Sequence, residues 1–296
     1  MKRLRRKTTG IIVHSDYKRW HTYVLYAAFF LVLALTLLVT VFPPLWLFLS
    51  SFKTPVELYR VPFTLFPDEI RLSKVYDVWR MLGFGRYFIN SLIVVAGAIL
   101  ASIFFNGLLA YAVSVIKPKG YRLVFALVMI SLMIPPILNM GTLFHNIVRL
   151  GLINTYVPLW LVFGANPFYF IMFKAYFDRL PKALFEAAEI DGANKIQVFF
   201  RILMPLSKPI VGVVSIFTLN AAWSDFLLPF LVLLDDPYQT VMVKIFKLHS
   251  DLGTAMGFSP DILLMVLALS IIPPVVLFFI FQKQITSAVA TTGIKE

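Results

Sequence analysis

The stretch YVLYAAFFLVLALTLLVTVFPPLWLFL, residues Tyr23–Leu49, decides the fold class of this chain. It contains no charged residue, and a helix needs only about 20 apolar residues to cross the hydrocarbon core of a membrane. Lysines and arginines precede it, as in a secretory signal peptide. Its apolar run, however, exceeds the roughly 7–15 residues of a signal sequence, and no Ala-x-Ala cleavage site follows. We therefore expect a retained membrane-spanning helix.

Five further apolar stretches are long enough to cross a membrane. Of the 296 residues, 59% are hydrophobic and 14% are charged, whereas soluble domains have roughly 45–50% and about 25%. The sequence therefore predicts an all-α integral membrane bundle of six transmembrane helices over residues 23–285, with a basic cytoplasmic segment at 1–22 and a cytoplasmic tail at 286–296. The five stretches are Ile89–Ile116, Leu123–Phe144, Tyr156–Phe173, Ile210–Leu234 and Ile262–Phe281.

The chain is strongly basic, with 27 Lys+Arg against 15 Asp+Glu and a formal net charge of +12. In a soluble protein this balance would suggest nucleic acid, but loops rich in Lys and Arg face the cytoplasm in a membrane protein. The basic residues are concentrated at both termini and in the second and fourth loops, so both termini are expected in the cytoplasm. The N-terminal run Lys2–Lys7 is expected to contact membrane lipid, and no nucleic acid partner is expected.

No catalytic or metal-binding constellation is evident in the sequence. The absence of cysteine removes disulfides, thiolate catalysis and cysteine-ligated metals. None of the four histidines has a second ligand at metal-binding spacing, and no phosphate-binding G-x-x-x-x-G-K-[ST] sequence is present. We therefore expect a non-catalytic chain that binds no cofactor and no metal.

The segment between the fourth and fifth predicted spans is too long for a simple connection. Lys182–Ile190 is predicted to be a short helix, and Asp191-Gly192 is a turn signal. A second short amphipathic helix is predicted to follow and to end at the prolines Pro205 and Pro209. Its apolar residues at helical spacing are Ala193, Ile196, Phe199, Phe200 and Leu203.

A helix–turn–helix of this kind suits a rigid contact with another subunit. If transport is driven by ATP, the force must come from a separate protein, because this chain lacks a phosphate-binding loop. Ala187 and Ala188 permit close approach, Gly192 permits a sharp turn, and an apolar ridge is expected to be buried against the partner. That ridge consists of Ile196, Phe199 and Phe200. The alternative is an amphipathic helix that lies on lipid, which the nearby acidic groups of Glu186, Glu189 and Asp191 disfavour.

The segment EAAEIDGANKIQVFFRILMP, Glu186–Pro205, resembles the EAA loop of ABC importer permeases. Met204 stands where that pattern usually has leucine. Other stretches, such as GLINTY from Gly151 and AAWSDFLLPFLVL from Ala221, are similar to the sugar-permease branch, and most of all to its MalG-type subunits. The residues that match the loop pattern at its spacing are Glu186, Ala187, Ala188, Gly192, Ile202 and Pro205.

The resemblance implies a permease subunit of an ATP-driven importer for a sugar or oligosaccharide in the bacterial inner membrane. Its implied partners are a second, MalF-like permease, two ATPase subunits that carry ATP and Mg²⁺, and an extracytoplasmic solute-binding protein. The loop at about 178–208 would be the coupling loop that the ATPase subunits contact. Within it, the strongest candidates for coupling are Glu186, Ala187, Asp191 and Gly192.

Asp225 is the one acidic residue inside a predicted span, and such carboxylates usually face a bundle interior or water. With Asn220, Trp223 and Ser224 it forms a polar and aromatic cluster expected near mid-span. Two interpretations stay open: the cluster lines the transport pathway, or the carboxylate is structural. Ser224 stands where asparagine commonly follows the tryptophan in the family, which weakens a substrate role there.

The rival function is an ion- or proton-coupled secondary transporter using Asp225, but it leaves the EAA loop without a task. A membrane-bound enzyme is disfavoured by the missing catalytic residues.

Other polar residues and prolines in the spans have structural interpretations. Asparagines inside membrane helices usually hydrogen-bond between helices, and prolines there kink or break helices. The asparagines are Asn106, Asn139 and Asn166. The prolines are Pro135, Pro136, Pro167, Pro229, Pro273 and Pro274.

Overall fold

The computed structural model describes residues 20–250 and 259–293, with side chains up to 280 except that of residue 277. Over these residues the chain forms helices and no strand, which confirms the all-α class. The chain divides into two compact units, one up to Ile70 and one from Arg71. The helices are α1 Trp20–Ser51, α2 Pro55–Leu58, α3 Ser73–Met81, α4 Phe84–Ile116, α5 Tyr121–Met133, α6 Met140–Arg149, α7 Val157–Gly164, α8 Pro167–Phe177, α9 Lys182–Ile190, α10 Lys195–Leu206, α11 Lys208–Ser224, α12 Leu227–Val232, α13 Val241–Ser250 and α14 Pro260–Gly293.

The first unit contains α1, α2 and a loop that follows them. The most apolar part of α1 has no buried residue, as expected for a helix that exposes its side chains to lipid. Thr54 and Glu57 form a reciprocal capping box at the start of α2. An ion pair of 2.8 Å joins Arg60 to Asp68 farther along the loop. The loop therefore has defined local structure.

Three helices are long and apolar enough to cross a membrane without interruption: α1, α4 and the first part of α14. Three further apolar pairs are bent at a break, namely α5 with the helical residues Pro136–Arg149 (98°), α7 with α8 (43°) and α10 with α11 (81°). The described chain thus has three spans, or up to six if each bent pair is one span, and the count of six stays a prediction. Several spans are less regular than predicted.

Prolines explain why three predicted spans are interrupted. A residue before proline is driven out of the helical region, and Ile134, before Pro135, and Asn166, before Pro167, are both extended. Within the predicted span Ile210–Leu234, α11 ends at Ser224 and Asp225 is extended. The proline at 229 explains this break, because a helical residue at 229 would donate its N–H to the carbonyl of Asp225, and proline has none.

The two ends of the chain differ from expectation or lie outside the described residues. Residues 1–19, which hold most of the basic segment predicted at 1–22, are outside them, as are residues 294–296 of the predicted tail. The last helix continues past Phe281 to Gly293, so no helix end separates a span from a tail at 285. Pro273 and Pro274 lie inside this continuous helix rather than at a break.

Small residues let the helices of the second unit approach closely. A Cβ atom added at Gly97 of α4 would collide with Nε1 of Trp160 in α7. The buried Asn106 amide donates to the carbonyl of Ser102 (2.8 Å) and to that of Phe163 (2.9 Å), and its oxygen accepts the N–H of Asn166 (3.0 Å). These bonds agree with the predicted interhelical role of Asn106, whereas the side chain of Asn166 accepts the N–H groups of Phe168 and Tyr169 and caps its own helix, α8. The third asparagine, Asn139, makes no such bond to any described residue.

Candidate coupling site

The segment Lys182–Leu206, called the elbow below, forms the predicted helix–turn–helix. The first helix, α9, has the predicted bounds. Its end is a Schellman arrangement, in which Gly192 donates its N–H to the carbonyl of Glu189 (3.1 Å) and Ala193 donates to that of Ala188 (2.9 Å). Gly192 has φ +79°, and a Cβ there would meet nothing within 4 Å. Glycine is favoured here by backbone conformation and not by crowding.

The start of α10 is fixed by its own local contacts. Asn194 caps the helix, and Gln197 completes a reciprocal capping box with it. The ammonium group of Lys195 pairs with the carboxylate of Glu189 across the turn, although both side chains are half exposed. An exposed pair of this kind adds little stability, so the caps and the glycine determine the turn.

One face of the elbow packs onto its own chain. Phe199 is 1% exposed, and its ring centroid lies 5.6 Å from that of Tyr111 at the end of α4. The Tyr111 hydroxyl donates to the carbonyl of Lys195 (3.2 Å), and the Tyr176 hydroxyl of α8 donates to the carbonyl of Leu206 (2.8 Å). Both ends of α10 are therefore bonded to membrane helices. The buried elbow residues in this hydrophobic cluster are Phe185, Ala188, Val198, Phe199 and Leu203.

This packing corrects the expected composition of the apolar ridge. Phe199 does not project toward a partner, because its ring packs on Tyr111 within the hydrophobic cluster. The helix is wound as a π-helix over Val198–Leu203. Ile196 and Phe200 are exposed as expected, at 70% and 53%. Ile190, which the ridge prediction omitted, is 87% exposed. Its exposure follows from helical spacing, because Ile190 is an apolar residue that does not lie on the face of α9 that carries Phe185 and Ala188.

The outer face of the elbow combines apolar and acidic side chains. Ile190 and Ile196 form its apolar part, and exposed apolar side chains of this kind mark an interaction site. Phe200 is partly exposed, but its ring stacks on that of Phe104 in α4, with centroids 6.4 Å apart. Ala188 and Phe199 are buried, but the other predicted coupling residues are exposed, and Pro205 lies in the last turn of α10. The exposed coupling residues are Glu186, Ala187, Asp191, Gly192 and Pro205.

The four predicted pathway residues separate into two pairs. Trp223 is 4% exposed, donates its indole N–H to the carbonyl of Ser270 (3.0 Å) and packs edge-on against Phe88. Asp225 lies at the break between α11 and α12 and accepts the backbone N–H groups that open α12, at residues 227 and 228. Both side chains are thus used within the fold. Asn220 and Ser224 are instead exposed on α11.

A polar network that sequence reasoning missed joins α4 to the segment before α13. The Tyr87 hydroxyl donates to Asp236 (2.6 Å), Lys244 lies 3.4 Å from the same carboxylate, and Asn90 donates to the carbonyl of Gln239 (2.9 Å). Burial alone would raise the pKa of Asp236, but the Tyr87 hydrogen bond and the Lys244 charge outweigh it and hold that pKa below its usual value. Sequence spacing gave no signal, since the partners are distant in the chain.

Residues 104–291 match the family described as binding-protein-dependent transport system inner membrane component. The chain is 30% identical over 254 residues to the diacetylchitobiose uptake system permease protein NgcG of Streptomyces coelicolor, covering 85% of this chain and 83% of that protein. It is 33% identical over 260 residues to the arabinooligosaccharides transport system permease protein AraQ of Halalkalibacterium halodurans, covering 87% and 92%.

The fold is similar to that of a solved bacterial ABC transporter involved in the import of the acidic polysaccharide alginate. The TM-score is 0.80 at 21% identity, over 93% of this chain and 99% of that one. Permeases of this kind are multi-pass membrane subunits, generally non-catalytic, that work with a second permease, ATPases and a binding protein. Nothing in these similarities supports the ion-coupled alternative. This chain belongs to the binding-protein-dependent transport system inner membrane components, the permease subunits of ABC importers.

Proposed function

We propose that this chain imports a sugar or oligosaccharide across the bacterial inner membrane as one of two permease subunits, with both termini in the cytoplasm. A MalF-like second permease completes the pathway, and a solute-binding protein delivers the sugar from outside. Two ATPase subunits carry ATP and Mg²⁺, so hydrolysis occurs outside this chain. The support for a carbohydrate substrate is that relatives which the chain covers almost fully are named for uptake of diacetylchitobiose and arabinooligosaccharides.

The observation that carries the coupling proposal is that one face of the elbow packs against its own chain, whereas the opposite face is exposed. Its inner face is bonded and packed to α4 and α8 through Tyr111, Tyr176 and Phe199. Its outer face exposes the side chains of Ile190 and Ile196. A partner that grips the outer face therefore applies force to two membrane helices at once.

The proposed cycle follows from this arrangement. When the ATPase subunits close on ATP, they draw the elbows of the two permeases together, and the attached helices turn the pathway from inward-facing to outward-facing. Release of ADP and phosphate reverses the movement. Such coupling requires that the ATPase subunits contact the elbow differently in the two states. The exposed acidic tip at Glu186 and Asp191 is the part of the elbow that offers charge for that contact.

Single introduced thiols test the contact, because the chain has no cysteine. Ile190→Cys and Ile196→Cys, labelled in native membranes with a short photocross-linker that reacts with thiols at one end and with any neighbouring C–H group on illumination at the other, are expected to join the chain to a nucleotide-hydrolysing subunit. Ile130→Cys is the matched control, since Ile130 is comparably exposed but lies in the apolar helix α5. Cross-links of the two elbow variants to lipid alone, or none above the control, would refute the coupling proposal.

Uptake by the reconstituted complex tests the substrate class. Proteoliposomes that contain both permeases, the ATPase subunits and the binding protein are expected to take up a neutral oligosaccharide, such as diacetylchitobiose or an arabinooligosaccharide. This uptake should occur only when ATP is present on the side of the membrane that carries the ATPase subunits. Alginate oligosaccharides provide the acidic comparison. Uptake by this chain alone that continues after ATP depletion would contradict the proposal and would restore the ion-coupled alternative.

A further inference from the structure

The loop between α4 and α5, together with the first turn of α5, exposes a set of basic side chains. None of them forms an ion pair with a carboxylate in the part of the chain that the structure describes. Cations gathered at one place without counter-charges attract an anion. The residues of this set, called the basic cluster below, are Lys117, Lys119 and Arg122.

The Tyr121 hydroxyl lies among these cations and one more from α8. Arg122 donates from Nε to that hydroxyl (3.3 Å), and Lys117 and Lys174 also lie near enough to act on it electrostatically. Lys174 is paired with Asp178 (2.6 Å), so the charge that remains unpaired belongs to the basic cluster. No acceptor among the described residues takes the O–H of Tyr121. A guanidinium, an ammonium and a free hydroxyl donor at one place suit the oxygens of a phosphate group.

The helix that follows the basic cluster exposes an apolar face. Tyr121 and Phe125 pack toward α8, but no residue of α5 is buried, and Leu123, Leu127 and Ile130 are each more than half exposed. From Leu123 to the end of α5 at Met133 this face runs about 15 Å at 1.5 Å per residue. The hydrocarbon core of a bilayer is about 30 Å thick, so the apolar face matches the hydrocarbon depth of one leaflet.

We propose that the basic cluster and the exposed face of α5 bind one anionic phospholipid. Its phosphate accepts hydrogen bonds from Arg122, Lys117 and the Tyr121 hydroxyl, and its acyl chains lie along Leu123, Leu127 and the residues beyond. A phospholipid carries a negative charge and a leaflet-long apolar tail in the same order in which α5 presents cations and apolar side chains. The inference goes beyond the proposed function and does not depend on which solute the chain imports.

The competing occupant is an acidic surface of an ATPase subunit. Such a subunit lies outside the membrane, where it could pair with the charges of the basic cluster. It would leave uncovered the apolar side chains of Leu123 and Val124, which are exposed directly after Arg122 in the same helical turn. A lipid covers both the charges and the apolar side chains, so the arrangement favours the lipid.

Quenching by brominated lipids tests the proposal, because the chain has no cysteine and a single thiol can be labelled. Leu127→Cys, about 7.5 Å along α5 from Arg122, carries a bimane fluorophore in the assembled complex, whose other subunits lack reactive thiols. The complex is reconstituted in phosphatidylethanolamine bilayers with increasing fractions of either phosphatidylglycerol or phosphatidylcholine brominated in the acyl chains. We expect the anionic lipid to bind about fivefold more tightly than the zwitterionic one, since each nearby Lys or Arg favours an anionic lipid.

The charge variants identify which residues cause the preference. Lys117→Gln with Arg122→Gln is expected to abolish it, whereas Arg149→Gln, which removes an exposed arginine at the end of α6, is expected to preserve it. Equal quenching by the two lipids, or a preference that survives the double variant, would overturn the proposal. No quenching by either lipid would show that protein covers α5 and would overturn it as well.

Co-purification separates a lipid contact from a subunit contact. The ATPase subunits and the second permease are expected to co-purify with the double variant in wild-type amounts. Loss of the ATPase subunits from the double variant would identify them as the occupant of the basic cluster and would overturn the proposal.

Discussion

Substitution of Gly192 at the turn of the elbow tests whether the shape of this segment couples the ATPase subunits to transport. The residue has φ +79° and donates its N–H to the carbonyl of Glu189. Asparagine tolerates the left-handed conformation, whereas an alanine side chain there costs roughly 1–2 kcal/mol. Proline fixes φ near −65° and removes the donor, at about 3 kcal/mol or more. Since about 1.4 kcal/mol is a factor of ten, Gly192→Pro depletes the native turn by more than about 100-fold.

The assay is ATP-dependent sugar uptake into proteoliposomes, with co-purification of the second permease as the measure of assembly. Uptake should follow the order wild type, Gly192→Asn, Gly192→Ala and Gly192→Pro, and the last should be almost inactive while it still inserts and assembles. The asparagine variant is the matched control because it adds a side chain without forbidding the backbone conformation, and no atom lies within 4 Å of a Cβ at this position. Wild-type uptake by Gly192→Pro would refute the coupling role of the turn.

Three further predictions concern residues outside the elbow. Gly97→Val should lower the melting temperature of the detergent-solubilised protein, because the valine side chain collides with Trp160. Gly141→Val is the control and should change the melting temperature little, because nothing lies within 4 Å of a Cβ there. Equal effects of the two variants would contradict the close packing at Gly97. Asp225→Ala should cost about 1 kcal/mol of unfolding free energy and Asp225→Asn much less, since asparagine also caps helices; loss of uptake in a well-folded Asp225→Asn would instead indicate a role for the charge. The pKa of Asp236 is depressed in the folded state. The carboxylate therefore stabilises the fold above its unfolded pKa of about 3.9, and this stabilisation is lost as the pH falls through the lower folded pKa. Between pH 7 and pH 3, the melting temperature should fall less steeply for Asp236→Asn than for the wild type.

The sequence predicted the all-α class and the apolar stretches well, but it overestimated the continuity of the helices. The residues before Pro135 and Pro167 lie where the chain leaves the helical region. A residue before a proline disfavours the helical conformation, so both breaks were predictable from the sequence. The bend angles of 98° and 43° at these breaks were not predictable. They depend on how each half packs against other helices, and a local pattern does not contain that information.

The elbow shows the same division between local and non-local information. Its two helices and its turn follow from proline, glycine and capping residues in a short stretch, and their bounds were predicted closely. The orientation of Phe199 was not predicted, because it depends on the ring of Tyr111, a residue far away in the chain. Helical periodicity alone assigned Phe199 to the same exposed ridge as Ile196.

The pathway candidates could have been sorted further from the sequence alone. Asn220 and Ser224 are one turn apart and share a side of α11, whereas Trp223 shares its side of the helix with the apolar residues Leu219 and Ala222. Only the hydrogen bond from the indole of Trp223 and the capping of α12 by Asp225 required the structure. Those two contacts use the indole of Trp223 and the carboxylate of Asp225 within the fold and leave the Asn220 amide and the Ser224 hydroxyl exposed.

The bonds from Tyr111 and Tyr176 to the two ends of α10 restrict how the molecule can change shape. Because α10 is bonded to α4 at one end and to α8 at the other, a movement of α10 acts on both of these helices. The opposite end of α4 is bonded to the segment around Asp236 through Tyr87, so we expect the movement to reach that segment as well. Spin labels placed there would therefore report nucleotide binding across the full thickness of the membrane.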